Sequence, residues 1–366
     1  MIFFFMFHVK HGWEVRSMGG DWEIFRLQLA ALGGLLFLSL SVTWIILYYV
    51  RLLDHPNERS SHTLATPKCG GVGIVTCFLV GVGVSQLWGG TYQVGLRLLF
   101  SLLIPTVIVA TISLLDDIHE ISPRIRLVVQ VVAALLFLYL GKITMQVGSV
   151  GVPGILLQSF FWGACVLWLV GMANTFNFMD GIDGLAAGQG LIVALFFGVI
   201  QYERGDYFIG FVSLVLLVAC LGFLAFNFPP AKVFMGDVGS VSIGFTLAML
   251  VLLALARKSG LVVIAEILIL MFNFVFDTAT TLGLRLLKKE NVFKPHKLHL
   301  YQKMIRCDFS HRTVTMTHYG MVLIQGIMLL LFSQHMAVVA FVILSIQLVY
   351  ATVVNKRYKQ RQERNN

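Results

Sequence analysis

Oxygen-bearing side chains recur at every third position of one short polar segment, NTFNFMDGIDGLAAGQG. They are Asn174, Asn177, Asp180 and Asp183. On a helix the first three would form one polar ridge, which the glycines behind them would end. Carboxylate and amide oxygens are ligands for a hard cation such as Mg²⁺ rather than for Zn²⁺. No twelve-residue EF-hand loop follows, so the spacing favours a Mg²⁺ site.

Carboxylates also stand at the boundaries of two apolar runs. Asp116 and Asp117 end one run, where they repel each other and oppose the helix dipole unless a cation or a basic partner lies between them. Asp237 begins another run, between two glycines. Backbone N–H groups at that helix start would suit a phosphate, although an aspartate there is also an ordinary cap.

Side chains that suit phosphate oxygens lie in two further segments. Arg59, His62 and Lys68 belong to DHPNERSSHTLATPKCGGVGI, where anchoring of a cytoplasmic loop is an equally good interpretation. The glycines of this segment would let the next helix start close to neighbouring backbone. In PHKLHLYQK, His296 and His299 would face the same way on a helix. Beside several lysines they favour a diphosphate-binding surface over a metal site.

The composition indicates that lipid is the solvent of most of this chain. Of 366 residues, 58% are hydrophobic and 12% charged, whereas soluble domains carry about 25% charged residues. Continuous apolar runs of about 17–25 residues predict an all-α polytopic transmembrane bundle of about eleven helices. The predicted spans are 29–50, 70–88, 95–115, 125–142, 154–173, 185–202, 207–226, 237–256, 260–284, 313–332 and 335–354.

The distribution of basic residues predicts the orientation of the bundle. Odd-numbered connections and the carboxyl-terminal tail hold 19 of the 27 Lys and Arg residues, and the remaining connections hold 8. The positive-inside rule therefore places the amino terminus in the periplasm and the carboxyl terminus in the cytoplasm. We expect a terminal extension over 1–28, one integral-membrane domain over 29–354 and a basic cytoplasmic tail over 355–366. The tail favours a topology anchor over a lipid-binding site.

The polar segments together combine carboxylates for a metal, cations for phosphate and a location at membrane level. Phosphoryl transfer needs this positioning and charge neutralisation rather than covalent machinery. The acids and amides are concentrated in the predicted cytoplasmic connections, so we expect the chemistry on the cytoplasmic face.

Five segments occur in the order that is typical of one enzyme family. In chain order they are DHPNERSSHTLATPKCGGVGI, LLDDIHEISPRIRLVVQ, NTFNFMDGIDGLAAGQG, NFPPAKVFMGDVGSVSIG and PHKLHLYQK. In these segments the chain resembles the polyprenyl-phosphate N-acetylhexosamine-1-phosphate transferases of glycosyltransferase family 4, which are related to the phospho-MurNAc-pentapeptide translocase. The resemblance implies a bacterial inner-membrane enzyme. Undecaprenyl phosphate would attack the sugar-linked phosphorus of a UDP-N-acetylhexosamine and release UMP.

The resemblance also implies roles for individual residues. Asp116 and Asp117 would handle the lipid phosphate, and Asn177 and Asp237 would bind Mg²⁺, for which Mn²⁺ is a substitute. Asn174, Asp180 and Asp183 would bind nucleotide or support the metal site, with both aspartates counted as catalytic. The remaining substrate-binding candidates are Arg59, His62, Lys68, His296 and His299, the two last for the diphosphate. The expected partners are the two substrates and membrane lipid, with a homodimer left open and no nucleic acid.

Two departures from the translocase bear on the sugar. The translocase has a lysine shortly after its aspartate pair and a triple-histidine run, whereas this chain has Glu120 and only His296-x-x-His299. These differences argue against a MurNAc-pentapeptide substrate. The LHLYQ form looks closer to the O-antigen branch, which uses GlcNAc or 6-deoxy sugars such as QuiNAc and FucNAc.

Two other classes of membrane protein remain as alternatives. A transporter would place polar groups near the midplane on broken helices, and Glu266, Asn273 and Asp277 do lie within the ninth predicted span. Without a transporter, Asp277 would pair with an arginine such as Arg97 or Arg285, or line the active-site cleft. A membrane prenyltransferase would need two DxxxD-like clusters, which this chain does not contain.

Overall fold

Helices make up nearly all of the described structure. The computed structural model describes residues 18–50, 52–54, 65–88, 92–144, 154–259, 262–291 and 296–365. Its helices are α1 (Met18–Tyr49), α2 (Gly71–Val84), α3 (Leu96–His119), α4 (Pro123–Leu140), α5 (Gly154–Phe178), α6 (Leu185–Glu203), α7 (Tyr207–Asn227), α8 (Asp237–Ala254), α9 (Val262–Leu270), α10 (Phe272–Leu287), α11 (Leu300–Arg306), α12 (His311–Phe332) and α13 (Met336–Asn365). Two short strands, β1 (Leu53–Asp54) and β2 (Thr66–Pro67), pair antiparallel.

The described helices confirm the all-α polytopic bundle. Nine segments are long and apolar enough to cross a membrane, or ten if the bent pair α9–α10 is one span. A lipid environment favours this architecture because a helix satisfies all of its own backbone hydrogen bonds. In the most apolar stretch of the central helix α8, 94% of the residues are buried inside the protein. The corresponding share for α1 is 17%, so α1 offers most of its surface to lipid.

The last apolar segment, from His311 to Arg364, crosses twice. Its 54 residues would extend about 80 Å as one helix, far more than the ~30 Å hydrocarbon core. A short 3₁₀ turn at Ser333–His335 reverses the chain. Tyr350 on α13 then meets His318 on α12 at 3.2 Å, which agrees with the two predicted final spans.

Helices continue beyond both boundaries of the predicted integral-membrane domain. Helix α1 covers Met18–Tyr49, so residues 18–28 of the predicted extension are helical. Helix α13 continues to Asn365, so the basic tail is a helical continuation of the last span. Residues 1–17 lie outside the described part of the chain.

The ninth predicted span is not continuous. The chain bends by 79° between α9 and α10. Gln189 of α6 stabilises the break, because its Nε2 donates to the carbonyl oxygen of Leu270 and to Oδ1 of Asn273 at 2.8 Å. Glu266 pairs with Arg204 at 2.7 Å. Asn273 and Glu266 therefore have partners on other helices and join those helices to the bent span.

Glycines permit the closest backbone contact beside α8, as the sequence predicts for the start of α2. A Cβ on Gly71 would lie 2.3 Å from the Cα of Gly239. The contact continues along the chain, since the amides of Gly70 and Gly71 donate to the carbonyls of Phe234 and Met235 at 3.0 and 2.9 Å. The first polar connection is thereby tied to the entrance of α8.

We predict that Gly71→Ala destabilises the protein by about 1–3 kcal/mol, because a methyl group would be forced against backbone that cannot move aside. Gly83→Ala is the matched control in the same helix, with no described atom within 4 Å of its Cβ. It should be neutral or slightly stabilising, since alanine favours helix. Thermal unfolding in detergent, followed by circular dichroism, measures both. Equal melting temperatures for the two variants would contradict the close contact.

Candidate active site

The carboxylate of Asp117 joins the end of α3 to the start of α8. Its Oδ1 and Oδ2 accept hydrogen bonds, each of 3.0 Å, from the backbone N–H groups of Asp237 and Val238. Gly236 makes the approach possible, because it has φ +73 and a Cβ there would lie 2.6 Å from Asp117 Oδ2. Asp117 therefore caps α8 from another helix.

This cap corrects the expectation for the α8 entrance. The N–H groups predicted to receive a phosphate donate to Asp117 instead. Asp237 follows the cap position, which Gly236 occupies, so its carboxylate remains for other contacts. The cost of placing Asp117 at a helix C-terminus is offset by the positive end of the second helix dipole.

Arg126, at the start of α4, bridges two carboxylates. One guanidinium nitrogen lies 2.5 Å from Asp116 Oδ2 and 2.5 Å from Asp237 Oδ2. The other oxygen of Asp237 accepts from Nδ2 of Asn177 at 2.7 Å. Arg126 is thus the basic partner that the adjacent aspartates require, and it draws the ends of α3, α4, α5 and α8 together.

Asp180, just beyond the end of α5, has no hydrogen-bond partner for its carboxylate among the described residues. Burial raises its pKa well above the ordinary value, and the charges of Asp237, Asp117 and Asp183 add to that increase. A half-buried carboxylate without a partner, beside three more carboxylates, is stabilised by a cation. This is the strongest feature of the cluster.

Asp183 lies three residues further on in the opposite environment. Its Oδ2 accepts from the backbone N–H of Ala231 at 3.0 Å, and its Oδ1 lies 3.1 Å from Nδ1 of His311. Burial opposes ionisation of Asp183, but these hydrogen bonds outweigh it and hold the pKa below the ordinary value. Asp183 therefore joins the 174–184 segment to the 227–236 connection and to α12.

The predicted phosphate-binding cations are only partly placed. The positive charge of Lys68 acts on Asp117, and the backbone N–H of Lys68 donates to Leu52 at 2.9 Å. Lys68 therefore lies within electrostatic range of Asp117, although no ion pair joins the two among the described residues. Arg59 and His62 lie outside the described residues.

Asn174 is set back from the cluster. Its Nδ2 donates to Oε1 of Gln130 and to the carbonyl oxygen of Val170, both at 2.8 Å. The polar ridge predicted for α5 is present for Asn174 and Asn177, but the helix ends at Phe178, before Asp180.

The two histidines of the last polar connection are adjacent, although not through a helix. His296 and His299 precede α11, and their rings lie 4.9 Å apart. Burial, with the charges of His299 and Arg285, lowers the pKa of His296 to about 4. His296 is consequently neutral at pH 7 in the protein alone, and can offer a hydrogen bond rather than a charge.

Asp277 holds the start of α11. It accepts from the backbone N–H of Leu300 at 2.9 and 3.0 Å, and lies 3.1 Å from Nδ1 of the buried His299. The expected pairing of Asp277 with Arg97 or Arg285 is wrong. Arg97 donates to backbone carbonyls of α4, and Arg285 pairs with Glu290 at 2.9 Å.

Sequence reasoning missed two contributors to this end of the bundle. Gln130 had no pattern that marked it. His311 stands in a stretch without a recognisable motif. The bridging role of Arg126 is a consequence of helix packing, so only the nearby aspartate pair indicated it.

Known proteins are similar to this chain over most of its length. The profile of glycosyl transferase family 4 matches residues 99–255. The probable undecaprenyl-phosphate N-acetylglucosaminyl 1-phosphate transferase of Bacillus subtilis (strain 168) is 30% identical over 272 residues, 73% of each chain. Decaprenyl-phosphate N-acetylglucosaminephosphotransferase of Mycobacterium tuberculosis (strain ATCC 25618 / H37Rv) is 31% identical over 293 residues, 72% of each chain.

A third relative represents the other branch of the resemblance. Phospho-N-acetylmuramoyl-pentapeptide-transferase of Streptococcus thermophilus (strain CNRZ 1066) is 33% identical over 232 residues, which are 59% of this chain and 65% of that protein. Together with the motifs, these matches show that the chain belongs to glycosyl transferase family 4 and is a membrane-embedded phosphotransferase of the polyprenyl-phosphate type.

Proposed function

We propose that this protein transfers N-acetylhexosamine 1-phosphate from a UDP-sugar to undecaprenyl phosphate. An oxygen of the lipid phosphate forms a bond to the sugar-linked phosphorus, the bond from that phosphorus to the UMP oxygen breaks, and UMP leaves. The observation that carries the proposal is the carboxylate cluster around the unpartnered Asp180, in a chain of this family.

The donor atoms of the cluster fit Mg²⁺. Asp180, Asp237 and Asn177 offer oxygens of the hard type that this ion prefers, and Asp180 is free to accept it. No three Asp, Glu, His or Cys side chains of the described part converge on one point, so water and substrate phosphates would complete the shell. When bound, the ion would neutralise charge on the diphosphate. Asn177 would have to turn, because it now presents its amide nitrogen to Asp237.

The basic groups and aspartates of the site position the substrates. Lys68 and Arg126 bring positive charge to a region where two phosphate-bearing substrates must meet. The lipid phosphate has a second pKa near 6, so it is largely dianionic at pH 7 and needs no strict general base. Asp117 acts by holding the entrance of α8, while Asp116 orients Arg126.

The proposal places this site on the cytoplasmic face of a bacterial inner membrane. The excess of basic residues in the connections at that end supports this orientation. Within the family, the LHLYQ form favours UDP-GlcNAc or a 6-deoxy relative, and initiation of O-antigen or a related envelope polysaccharide. The two GlcNAc-directed relatives, each matched over more than two thirds of its length, support an N-acetylhexosamine donor.

The direct test is release of UMP by purified protein in the presence of undecaprenyl phosphate and Mg²⁺. The donor panel contains UDP-GlcNAc, UDP-QuiNAc, UDP-FucNAc and UDP-MurNAc-pentapeptide. We expect lipid-dependent UMP with an N-acetylhexosamine donor and none with the pentapeptide. Absence of lipid-dependent UMP from every donor would refute the proposed function.

We predict that Asp237→Asn lowers this rate by at least about 100-fold, since it removes charge that the site directs at the metal and the phosphates. Asp308→Asn is the matched control, because Asp308 is an exposed carboxylate that pairs with Arg361 away from the cluster. It should retain full activity. Full activity of Asp237→Asn would exclude Asp237 from the site.

Opposite stability changes are expected for two aspartates that are three residues apart. With metal chelated, Asp180→Asn should raise the melting temperature, because ionised Asp180 is unfavourable in the folded state and its pKa is raised. Asp183→Asn should lower it, because a depressed pKa means that the charged form stabilises the fold near neutral pH. Both variants should lose activity. Shifts of the same sign in thermal unfolding would contradict these environments.

A further inference from the structure

A cavity of about 260 Å³ opens where α11, α12 and α13 meet. Its walls are mainly apolar, and one cationic side chain stands among them. The residues that define it are Met304, Cys307, Phe309, Tyr350, Val353 and Arg357. Pockets that enclose a whole small molecule are usually about 300–1,000 Å³. This cavity is therefore suited to one segment of a longer apolar chain.

The sequence of α13 places the cavity at the level of lipid headgroups. The helix is apolar as far as Val354 and basic from Lys356 onward. Tyr350 and Val353 belong to the apolar part of the wall, and Arg357 belongs to the basic part. An occupant would thus meet hydrocarbon at one end of the cavity and a cation at the other.

Arg357 is the cationic side chain of the cavity wall. Its guanidinium lies 5.4 Å from the centre of the Phe309 ring, and it forms no ion pair within the described part of the chain. Its neighbours are already engaged, because Arg361 pairs with Asp308 and Arg306 donates to Tyr358. The planar group of Arg357 is suited to two oxygens of one phosphate.

We propose that this cavity, which we call the tail cavity, binds an anionic phospholipid of the surrounding membrane. A segment of one acyl chain would occupy the apolar walls, and the phosphate would contact Arg357. The basic tail is then more than a topology anchor, because one of its residues completes a lipid site. The positive charge that complements an anionic lipid is concentrated beside the cavity, on Lys356, Arg357 and Lys359. Glu363 is the one acidic residue of 355–366.

The occupant differs from the polyprenyl substrate. None of the cavity residues belongs to the carboxylate cluster, to which the lipid phosphate must come for transfer. Helix α11 joins the cavity to the histidine segment instead. Asp277 accepts from the backbone N–H of Leu300 at the start of this helix, and Met304 of the same helix lies in the cavity wall, where Tyr350 donates to its Sδ at 3.1 Å.

Cys307 makes the cavity accessible to a chemical test. It is half-buried in the cavity wall, whereas Cys69, Cys77, Cys165 and Cys220 are buried. The full-length protein is reconstituted in phosphatidylcholine vesicles, or in vesicles with half of that lipid replaced by phosphatidylglycerol. The rate of Cys307 labelling by an uncharged maleimide is then measured, with Cys307→Ala as the blank.

We expect phosphatidylglycerol to slow labelling by up to about fivefold, because one basic residue at an anionic surface strengthens lipid binding by about that factor. The same slowing is expected in Lys359→Gln, which removes an exposed tail cation outside the cavity. In Arg357→Gln the difference between the two vesicles should disappear. Native mass spectrometry should show correspondingly less retained phosphatidylglycerol for Arg357→Gln.

Four results would overturn the proposal. Equal labelling of the wild type in both vesicles would show that no anionic lipid enters. Equal slowing in Arg357→Gln would show an effect of surface charge alone. Protection by inorganic phosphate in phosphatidylcholine vesicles would identify a phosphate ion as the ligand. Protection by undecaprenyl phosphate but not by phosphatidylglycerol would assign the cavity to the substrate.

Discussion

The hydrogen bonds from the start of α8 to Asp117 fix the arrangement of the whole site. Helix α8 is the most buried helix of the bundle, and its entrance is the point where the connections 66–71 and 227–236 meet. A carboxylate brought there by α3 satisfies two backbone donors that would otherwise need another partner. Because Asp117 is held at this position, Asp116 and Asp237 must also lie close together, and Arg126 bridges them.

This arrangement leaves an excess of negative charge. Arg126 and Lys68 offset part of the charge of the five aspartates, and His311 lies 3.1 Å from Asp183, but Asp180 has no partner among the described residues. Both proposed substrates carry phosphate and would be repelled by such a cluster. The proposed divalent cation would resolve the conflict, because it would bind the carboxylates and attract the phosphates. The electrostatic imbalance is then a property that the proposed function requires.

Much of this organisation was predictable from the sequence, because membrane helices and polar connections have strong local patterns. The apolar runs predicted the all-α bundle, and the third-residue spacing predicted the ridge of Asn174 and Asn177. Family motifs marked Asp180, Asp183 and Asp237. The glycines before α2 predicted the close backbone contact that Gly71 makes.

What the sequence did not predict depends on long-range packing. The capping of α8 by Asp117 joins residues 120 positions apart, and no local pattern encodes that contact. The contact of His311 with Asp183 also joins residues that are far apart in the sequence. The bend within the ninth span is stabilised by Gln189 on a different helix, so the residues of that span alone do not predict it. His299 was expected to face substrate but is buried against Asp277.

In the proposed function, a divalent cation at Asp180 completes the carboxylate cluster. The most direct measurement is the melting temperature of detergent-solubilised protein, without substrate, as Mg²⁺ is increased from a chelated baseline at constant ionic strength. A cation that binds only the folded protein raises the melting temperature with concentration. We predict such a rise for the wild type and a much smaller one for Asp180→Asn. A melting temperature of the wild type that does not change with Mg²⁺ would contradict the account.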